Sequence, residues 1–500
     1  MTQRRWLVSA AHKSSGKTMV SIGLAAALHE RGLSVQTFKK GPDYIDPMWL
    51  SLASDRPCFN LDPHLSEIDA IRTTFAQRSE GADIALIEGN KGLFDGMSLD
   101  GHDCSAALGH ALATPVILVI DTRGITRGIA PLLLGMQAFD PSIQFAGVIL
   151  NRTGGSRHEG KLRQAVEAFT SMRVLGAIGN DDHLGIPEAT LGLVPSNELD
   201  GVVHAVARLA KAVAQGVDLD RLLADPVPAP VPAPATSVPA SSTFVPAAST
   251  MSVVASAAAT VMHMAGQMPG RQSPEPHRPK VRIAIARDRA FGFYYPDDLD
   301  ALVSAGAQLL PFDSLRDQQL PEADALFIGG GFPERHAAAL EANASLRDDI
   351  RRRIAAGLPT YAECGGLMFL CRAMHCRGQR FEMVGAIGAD VMLEHRPVGR
   401  GYVRLAPLAP SWLTDGVTGE IGAHEFHYSR LVDVDPDLHF AWRMLRGQGV
   451  DGGRDGIISG NLVASYAHLR SGAGNDGPAR FVAFAAAVRA GSPSALSSTP

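Results

Sequence analysis

Between residues 6 and 179 the runs WLVSAA, SVQTFKK, DIALIEG, PVILVID, FAGVILN and RVLGAIG recur, with helix-length segments between them. Runs rich in Val, Ile and Leu on both faces need a sheet covered on each side, and the helical spacers supply the cover. This predicts an α/β domain with a parallel sheet over residues 1–224. At Asp225 the composition changes abruptly to DPVPAPVPAPATSVPASST and onward. Such Pro/Ala/Ser-rich sequence buries too little apolar surface to offset its ordering, so residues 225–280 read as a linker. A second alternation opens at Val281 with VRIAIAR, ALFIGGG and LPTYAEC, then turns more β-like through GYVRL toward His427. It predicts a second domain over residues 281–490, with 491–500 as a frayed tail.

A chain of 500 residues, 46% hydrophobic and 19% charged, has the apolar content for sizeable cores. Its formal charge of −5 lacks the polybasic signature of a nucleic-acid partner or of docking to an anionic membrane. Cys58, Cys104, Cys364, Cys371 and Cys376 form no CxxC pair, which fits a reducing compartment. The first residues carry too short an apolar run for a signal peptide, and Met251 to Met268 is too Ala/Ser-rich for a membrane span. A cytoplasmic protein is expected.

The stretch LVSAAHKSSGKT ends an apolar run, forms a short polar loop and closes on Gly16-Lys17-Thr18 ahead of a helical segment stopped by Gly32. Strand, loop, then helix is the arrangement that binds phosphates. Backbone N–H groups face the anion, Lys17 neutralises it and the Thr18 hydroxyl ligates Mg²⁺. The loop departs from the usual pattern at Ala11, where a glycine is the rule. The next strand delivers Lys39, Lys40, Asp43 and Asp46 at its C-terminal end, the edge where open parallel sheets bind ligands. Glu88 opens the loop EGNKGLFDG with Lys91 and Asp95, Asp121 ends PVILVID, and Asn151 ends FAGVILN, where its amide suits a base edge.

In the second half, LPTYAECGGLMFL brings a strand to Cys364, and Gly365-Gly366 permit a sharp turn into a helix. This predicts an exposed thiol at a strand-to-helix elbow, with local N–H groups favouring thiolate. The glycines of IGGGFPE end another strand and offer N–H groups for an oxyanion. The partner base is His468 in SYAHL, with His424 and His427 of GAHEFHYS as the alternatives. Cys371 and Cys376 read as buried structural residues.

Taken in order, GKT, KGPDYIDP, NLDPHL, EGNKGLFDG and LGLVPSNE resemble the synthetase domain of cobyrinate (hydrogenobyrinate) a,c-diamide synthases. GGGFPE, YAECGGLMFL, HEFHYS and SYAHL resemble their glutamine amidotransferase domain. The resemblance implies a P-loop NTPase-like, dethiobiotin synthetase-like parallel sheet followed by a flavodoxin-like amidotransferase domain. It implies a ligase in which ATP phosphorylates a ring acetate and glutamine-derived ammonia displaces the phosphate. Ser15, Gly16, Lys17, Thr18, Lys39 and Asn151 then fall to ATP, and Thr18, Asp43 and Glu88 to Mg²⁺. Asp43, Tyr44 and Asp46 face the acid substrate, Cys364 is the nucleophile and His468 activates it. Related glutaminases carry Glu two residues after this histidine; here that position is Arg470, so a third member is absent or lies elsewhere. Phe291, Phe293, Tyr294 and Tyr295 resemble the family's aromatic loop, which packs on a planar macrocycle or forms the domain interface. The expected partners are a tetrapyrrole acid, L-glutamine and ATP, with a homodimer left open. Siroheme-type amidation is the alternative substrate reading, and an ATPase switch or partner-binding module with a decayed glutaminase the alternative class.

Overall fold

In the computed structural model, residues 3–189, 192–232, 280–471 and 476–491 are described. The first unit is a seven-stranded sheet of β1 (Arg4–Ala10), β2 (Val35–Lys40), β3 (Phe59–Leu61), β4 (Ile84–Glu88), β5 (Val116–Asp121), β6 (Phe145–Thr153) and β7 (Val174–Gly179). Its order is β3-β2-β4-β1-β5-β6-β7, and every neighbouring pair is parallel. The six apolar runs become β1, β2 and β4–β7. The addition is β3, an edge strand that overlaps the start of NLDPHL and is too short for periodicity to reveal.

Both faces are covered, as the all-apolar runs require. Val8, Leu86 and Val119 join one buried layer, and Leu7, Ile87 and Leu118 join the layer on the opposite face. The helix Lys17–Glu30 covers the first of these and packs on Val202–Gly216. The chain leaves β1 with β4 on one side and β5 on the other, so the loop after β1 sits at the topological switch point where parallel sheets bind ligands.

The second unit is a nine-stranded mixed sheet. Five parallel strands lie in the order Ala307–Phe312, Val281–Ala286, Ala325–Ile328, Thr360–Glu363, Leu462–Ser465. This is the flavodoxin-like order, second-first-third-fourth-fifth. The β-like stretch extends it with antiparallel strands Arg454–Ser459, His439–Arg446, Gly399–Pro407 and Ile421–His427.

The two units share an interface. Phe293, Tyr295 and Phe332 of the second enter the apolar layer of the first. Arg78 pairs with Asp300 at 2.6 Å and Asp297 at 3.2 Å, Arg335 with Glu198 at 3.0 Å, and the Tyr402 hydroxyl donates to Asp62 at 2.9 Å. Within the stretch read as linker, Asp225 pairs with Arg173, and the Ala229 carbonyl accepts from Arg5. Residues 233–279, including the 251–268 run, and 492–500 of the tail lie outside the described residues. Among the described residues, no helix is long and apolar enough to cross a membrane.

Candidate active site

Where β1 ends, the chain turns through residues 11–16 into the helix Lys17–Glu30. Gly16 adopts φ +89°, and a Cβ there would stand 2.1 Å from Asn151 Nδ2, so glycine is required twice over. Asn151, at the end region of β6, donates Nδ2 to the Ser15 carbonyl at 2.9 Å. The amide expected at a base edge is therefore committed, through this nitrogen, to holding the phosphate loop. Lys17 is 8% exposed, and burial together with the neighbouring Lys39 lowers its amine from the ordinary value.

Thr18, Lys39, Asp43, Asp46 and Glu88 are brought together beside that loop. Thr18 Oγ1 donates to Glu88 Oε1 at 2.6 Å. Lys39 Nζ lies 2.5 Å from Asp46 Oδ2, 3.1 Å from Glu88 Oε1 and 3.7 Å from Asp43 Oδ2. Burial would strip the Lys39 proton, but Asp46, Glu88 and Asp43 outweigh it and hold the amine well above its usual range. A unit pair at such distances is worth ~4 kcal/mol at an effective dielectric of ~20, so three carboxylates suffice for one buried ammonium. Burial raises Glu88, and its Oε2 is buried without a hydrogen-bond partner. That orphaned oxygen, the Thr18 hydroxyl and the nearby Asp46 are hard-oxygen donors of the kind Mg²⁺ takes alongside phosphates and water, although among the described residues no group of three or more His, Cys, Asp or Glu side chains is placed to hold a metal by itself. Asp43 spends Oδ1 on the N–H groups of Ile45 and Asp46, which leaves Oδ2 toward Lys39.

A cavity of about 200 Å³ opens next to the loop, lined by Met19, Asn151, Arg152, Ile178, Asn180 and Val213 among others. Arg152 donates to the Ser14 carbonyl at 2.9 Å and to Asp121 at 2.8 Å. Against the burial that would raise it, Arg123 and Arg152 hold the Asp121 carboxyl down at about 2. Asp121 thus holds Arg152 against the loop, an arrangement that a lone carboxylate at a strand end does not announce.

Tyr44 leaves the carboxylate cluster. Its ring stacks on Phe293 with centroids 5.5 Å apart, lies 4.3 Å from Tyr295 and reaches 5.1 Å from His468. Of the aromatic loop, Phe291 packs on Phe369 in the second unit's core, and the Tyr294 hydroxyl donates to the Ala286 carbonyl. Phe293 and Tyr295 form the domain interface, so these rings are buried rather than laid open to a macrocycle.

Cys364 follows the strand Thr360–Glu363 and takes φ +47°, ψ −102°, a strained backbone for a non-glycine residue and the kind of bend that defines an elbow. The expected exposed thiol is corrected: Cys364 is only 7% exposed, with Sγ 3.9 Å from the Phe426 carbonyl. The expected thiolate is corrected with it, because burial, with Glu334 nearby, pushes the thiol up to about 12. The glycine loop lies between elbow and histidine. A Cβ on Gly365 would sit 3.0 Å from the Gly331 nitrogen, and one on Gly330 would sit 2.8 Å from His468 Cε1.

His468 lies past the strand Leu462–Ser465, and its Nδ1 is 3.2 Å from Glu363 Oε2. His424 stacks on it at 5.0 Å and meets the Tyr295 hydroxyl at 3.4 Å through Nδ1. His427 turns Nδ1 to the Ser429 carbonyl at 2.8 Å and stacks on Tyr466 at 3.9 Å, the contacts of a packed structural ring. Arg470 points at the domain boundary, to Asp297 at 2.8 Å and to the Asn60 carbonyl. Sequence reasoning missed Glu363, although it directly precedes Cys364; strand periodicity alone does not say that the carboxylate reaches a histidine past a neighbouring strand.

Residues 7–190 match the family described as CobQ/CobB/MinD/ParA nucleotide binding domain, and residues 282–475 match the CobB/CobQ-like glutamine amidotransferase domain. A nucleotide-binding unit docked on a glutamine amidotransferase defines the class: a glutamine-hydrolysing, ATP-using ligase. The chain is 43% identical to a cobyrinate a,c-diamide synthase of Magnetococcus marinus over 93% of each chain. It is 37% identical to the cobyrinate a,c-diamide synthase of Methanosarcina barkeri, covering 93% of this chain and 92% of that one. The chain belongs to the cobyrinate a,c-diamide synthase family.

Proposed function

We propose that the protein amidates the a- and c-acetate side chains of cobyrinate or hydrogenobyrinate, using ATP and glutamine. The observation that carries this reading is that residues 43–46 serve both units: Asp43 and Asp46 meet Lys39 beside the phosphate loop, and Tyr44 meets His468. The domains divide as 1–224 and 281–490, joined through 225–280 and followed by the tail 491–500. A cytoplasmic setting is supported by five cysteines that are all free.

A carboxylate resists amines because it is anionic and its leaving group is oxide; conversion to an acyl phosphate removes both obstacles. The loop 11–18 and Lys17 hold the nucleotide phosphates while the γ-phosphoryl passes to the ring acetate. Thr18 and Glu88, with Asp46 and Asp43 adjacent, would hold Mg²⁺, which when bound neutralises charge on the phosphates. Lys39 holds those carboxylates in place and, at Glu88 and Asp43, opposes the burial that raises them.

In the other unit the Cys364 sulfur attacks the side-chain amide carbon of glutamine as its proton moves to His468. His468 returns that proton to the departing nitrogen, the C–N bond breaks, and ammonia leaves a thioester. Water, deprotonated through His468, then releases glutamate. Ammonia crosses the interface beside Tyr44 and attacks the acyl phosphate, expelling phosphate. One chain holding both sites keeps the effective concentration of ammonia high. Mass spectrometry of candidate tetrapyrroles incubated with ATP, Mg²⁺ and glutamine tests the reading. Replacement of acetate OH by NH₂ on cobyrinate or hydrogenobyrinate is expected; reaction only of a siroheme-type ring, or of no macrocycle, would overturn it.

A further inference from the structure

We propose that Glu363, the residue immediately before the nucleophile, is the third member of the glutaminase site and positions His468 through Nδ1. This rests on the reading of Cys364 and His468 above. Both side chains are almost wholly enclosed, at 6% and 4% exposure. The carboxylate is itself fixed: Oε1 accepts the Tyr361 hydroxyl at 2.6 Å and the Leu469 N–H at 3.3 Å, which leaves Oε2 for the imidazole at 3.2 Å. Leu469 adjoins His468, so one carboxylate grips both the ring and the backbone beside it.

With Nδ1 taken, the proton on that nitrogen is held in place and Nε2 is the ring nitrogen left for proton exchange. That tautomer is the one a general base must have. Strand alternation makes the arrangement possible. Glu363 projects to the sheet face that carries Tyr361 and His468, while the positive φ at Cys364 bends the chain into the helix Gly365–Leu370. The position usually filled by a triad glutamate, two residues after the histidine, is Arg470, which is turned to the domain boundary. Here the carboxylate comes instead from the end of the strand Thr360–Glu363, one residue before the nucleophile.

Burial pushes Glu363 up to about 7 and His468 down to about 3, so above about pH 7 an ionised carboxylate faces a neutral imidazole, the state in which Nδ1–H donates to Oε2. When the thiol proton reaches His468, the imidazolium forms directly against the carboxylate, and each offsets the burial of the other. Tyr361, Tyr44, Asp298, His424 and His427 are the other titratable groups facing this pair.

The test uses the full chain, with glutaminase kcat and KM followed across pH and ammonia-dependent amidation measured alongside. For Glu363→Gln the expected result is a kcat lower by about 10²- to 10⁴-fold. KM for glutamine should stay unchanged, the pH profile should shift, and ammonia-dependent amidation should persist. Glu363→Asp, which keeps a carboxylate, should recover part of the loss. Wild-type kcat and profile in Glu363→Gln would overturn the proposal, as would an equal loss in both variants with the profile unmoved. Failure of the underlying reading is separate: glutaminase surviving in Cys364→Ser would remove the nucleophile itself, whatever Glu363 does.

Discussion

The ring of Tyr44, carried by the nucleotide-binding unit, lies 5.1 Å from the imidazole of His468 in the amidotransferase unit. The residues on either side of the same turn point the other way, since Asp43 and Asp46 face Lys39. One turn thus contacts both units, the carboxylate–lysine cluster through Asp43 and Asp46 and His468 through Tyr44.

Tyr44→Ala should uncouple the two reactions. Aromatic pairs contribute about 0.5–1.5 kcal/mol each beyond their area, and Tyr44 sits among Phe293, Tyr295, His424 and His468. We expect several glutamines hydrolysed per amide formed, with ammonia-dependent amidation largely kept. Paired assays of glutamate and amide product measure this ratio, and a ratio equal to the wild type would refute the coupling role.

Gly330→Ala should strike glutamine hydrolysis alone. The new methyl would meet His468 Cε1 at 2.8 Å and Phe293 Cβ at 3.3 Å, so the imidazole must move. A displacement near 1 Å in a catalytic group costs on the order of 10²-fold in rate. Glutaminase and ammonia-dependent rates, measured side by side, should diverge by about that factor.

Lys17→Met should have the complementary effect, with amidation lost from both glutamine and ammonia. Removing one preorganised charge from a transferring group costs about 10²–10³-fold. Basal glutaminase should remain, because the charges that act on Lys17 are Lys39, Glu88, Asp46 and Asp95 of the nucleotide-binding unit, and none belongs to the Cys364 site. Equal loss of basal glutaminase would show that the two sites are not separable in this way.

Acid should destabilise the protein through His468. Its folded value is lowered from 6.5 to about 3 by burial, so between those limits the folded state binds fewer protons than the unfolded state. Stability then falls as pH drops through that window. Glu363 has the opposite sign: raised from 4.5 to about 7 by burial, it contributes stability below 4.5 that is lost as pH rises through 7. From 6.5 to 4.5 the two slopes oppose, and below 4.5 only His468 is left. Melting temperatures of wild type and His468→Gln, measured from pH 7 to 4, should therefore separate, with the variant losing less on acidification; parallel curves would contradict the assignment.

The sheets were legible because buried parallel strands such as Ile84–Glu88 and Val116–Asp121 are apolar throughout, and each ends in a polar residue at the ligand edge. Phosphate-loop residues were legible for the same reason: a strand, a tight loop and a helix fix where Lys17 and Thr18 must stand. What the chain order concealed was relationships across distance. Nothing local to Asn151 says that its amide will brace Ser15, and nothing local to Arg470 says that it will reach the Asn60 carbonyl of the other unit. Cys364 was read as open because an elbow usually presents its nucleophile, yet here the second unit's own strand Ile421–His427 supplies the Phe426 carbonyl beside it. Tyr44, in a loop otherwise devoted to carboxylates, gave no sign that it would pack on rings of the other unit.

The most direct measurement follows nitrogen. Full-length protein is given cobyrinate or hydrogenobyrinate, ATP, Mg²⁺ and glutamine carrying an isotopic label on its side-chain nitrogen, with unlabelled ammonium in the buffer, and the amide product is weighed by mass spectrometry. Transfer through the interface beside Tyr44 predicts product labelled well above the bulk ammonia pool, and unlabelled product from Cys364→Ser. A product whose label matches the bulk pool in the wild type would mean that the two sites do not hand ammonia across, contrary to the account given by their shared loop.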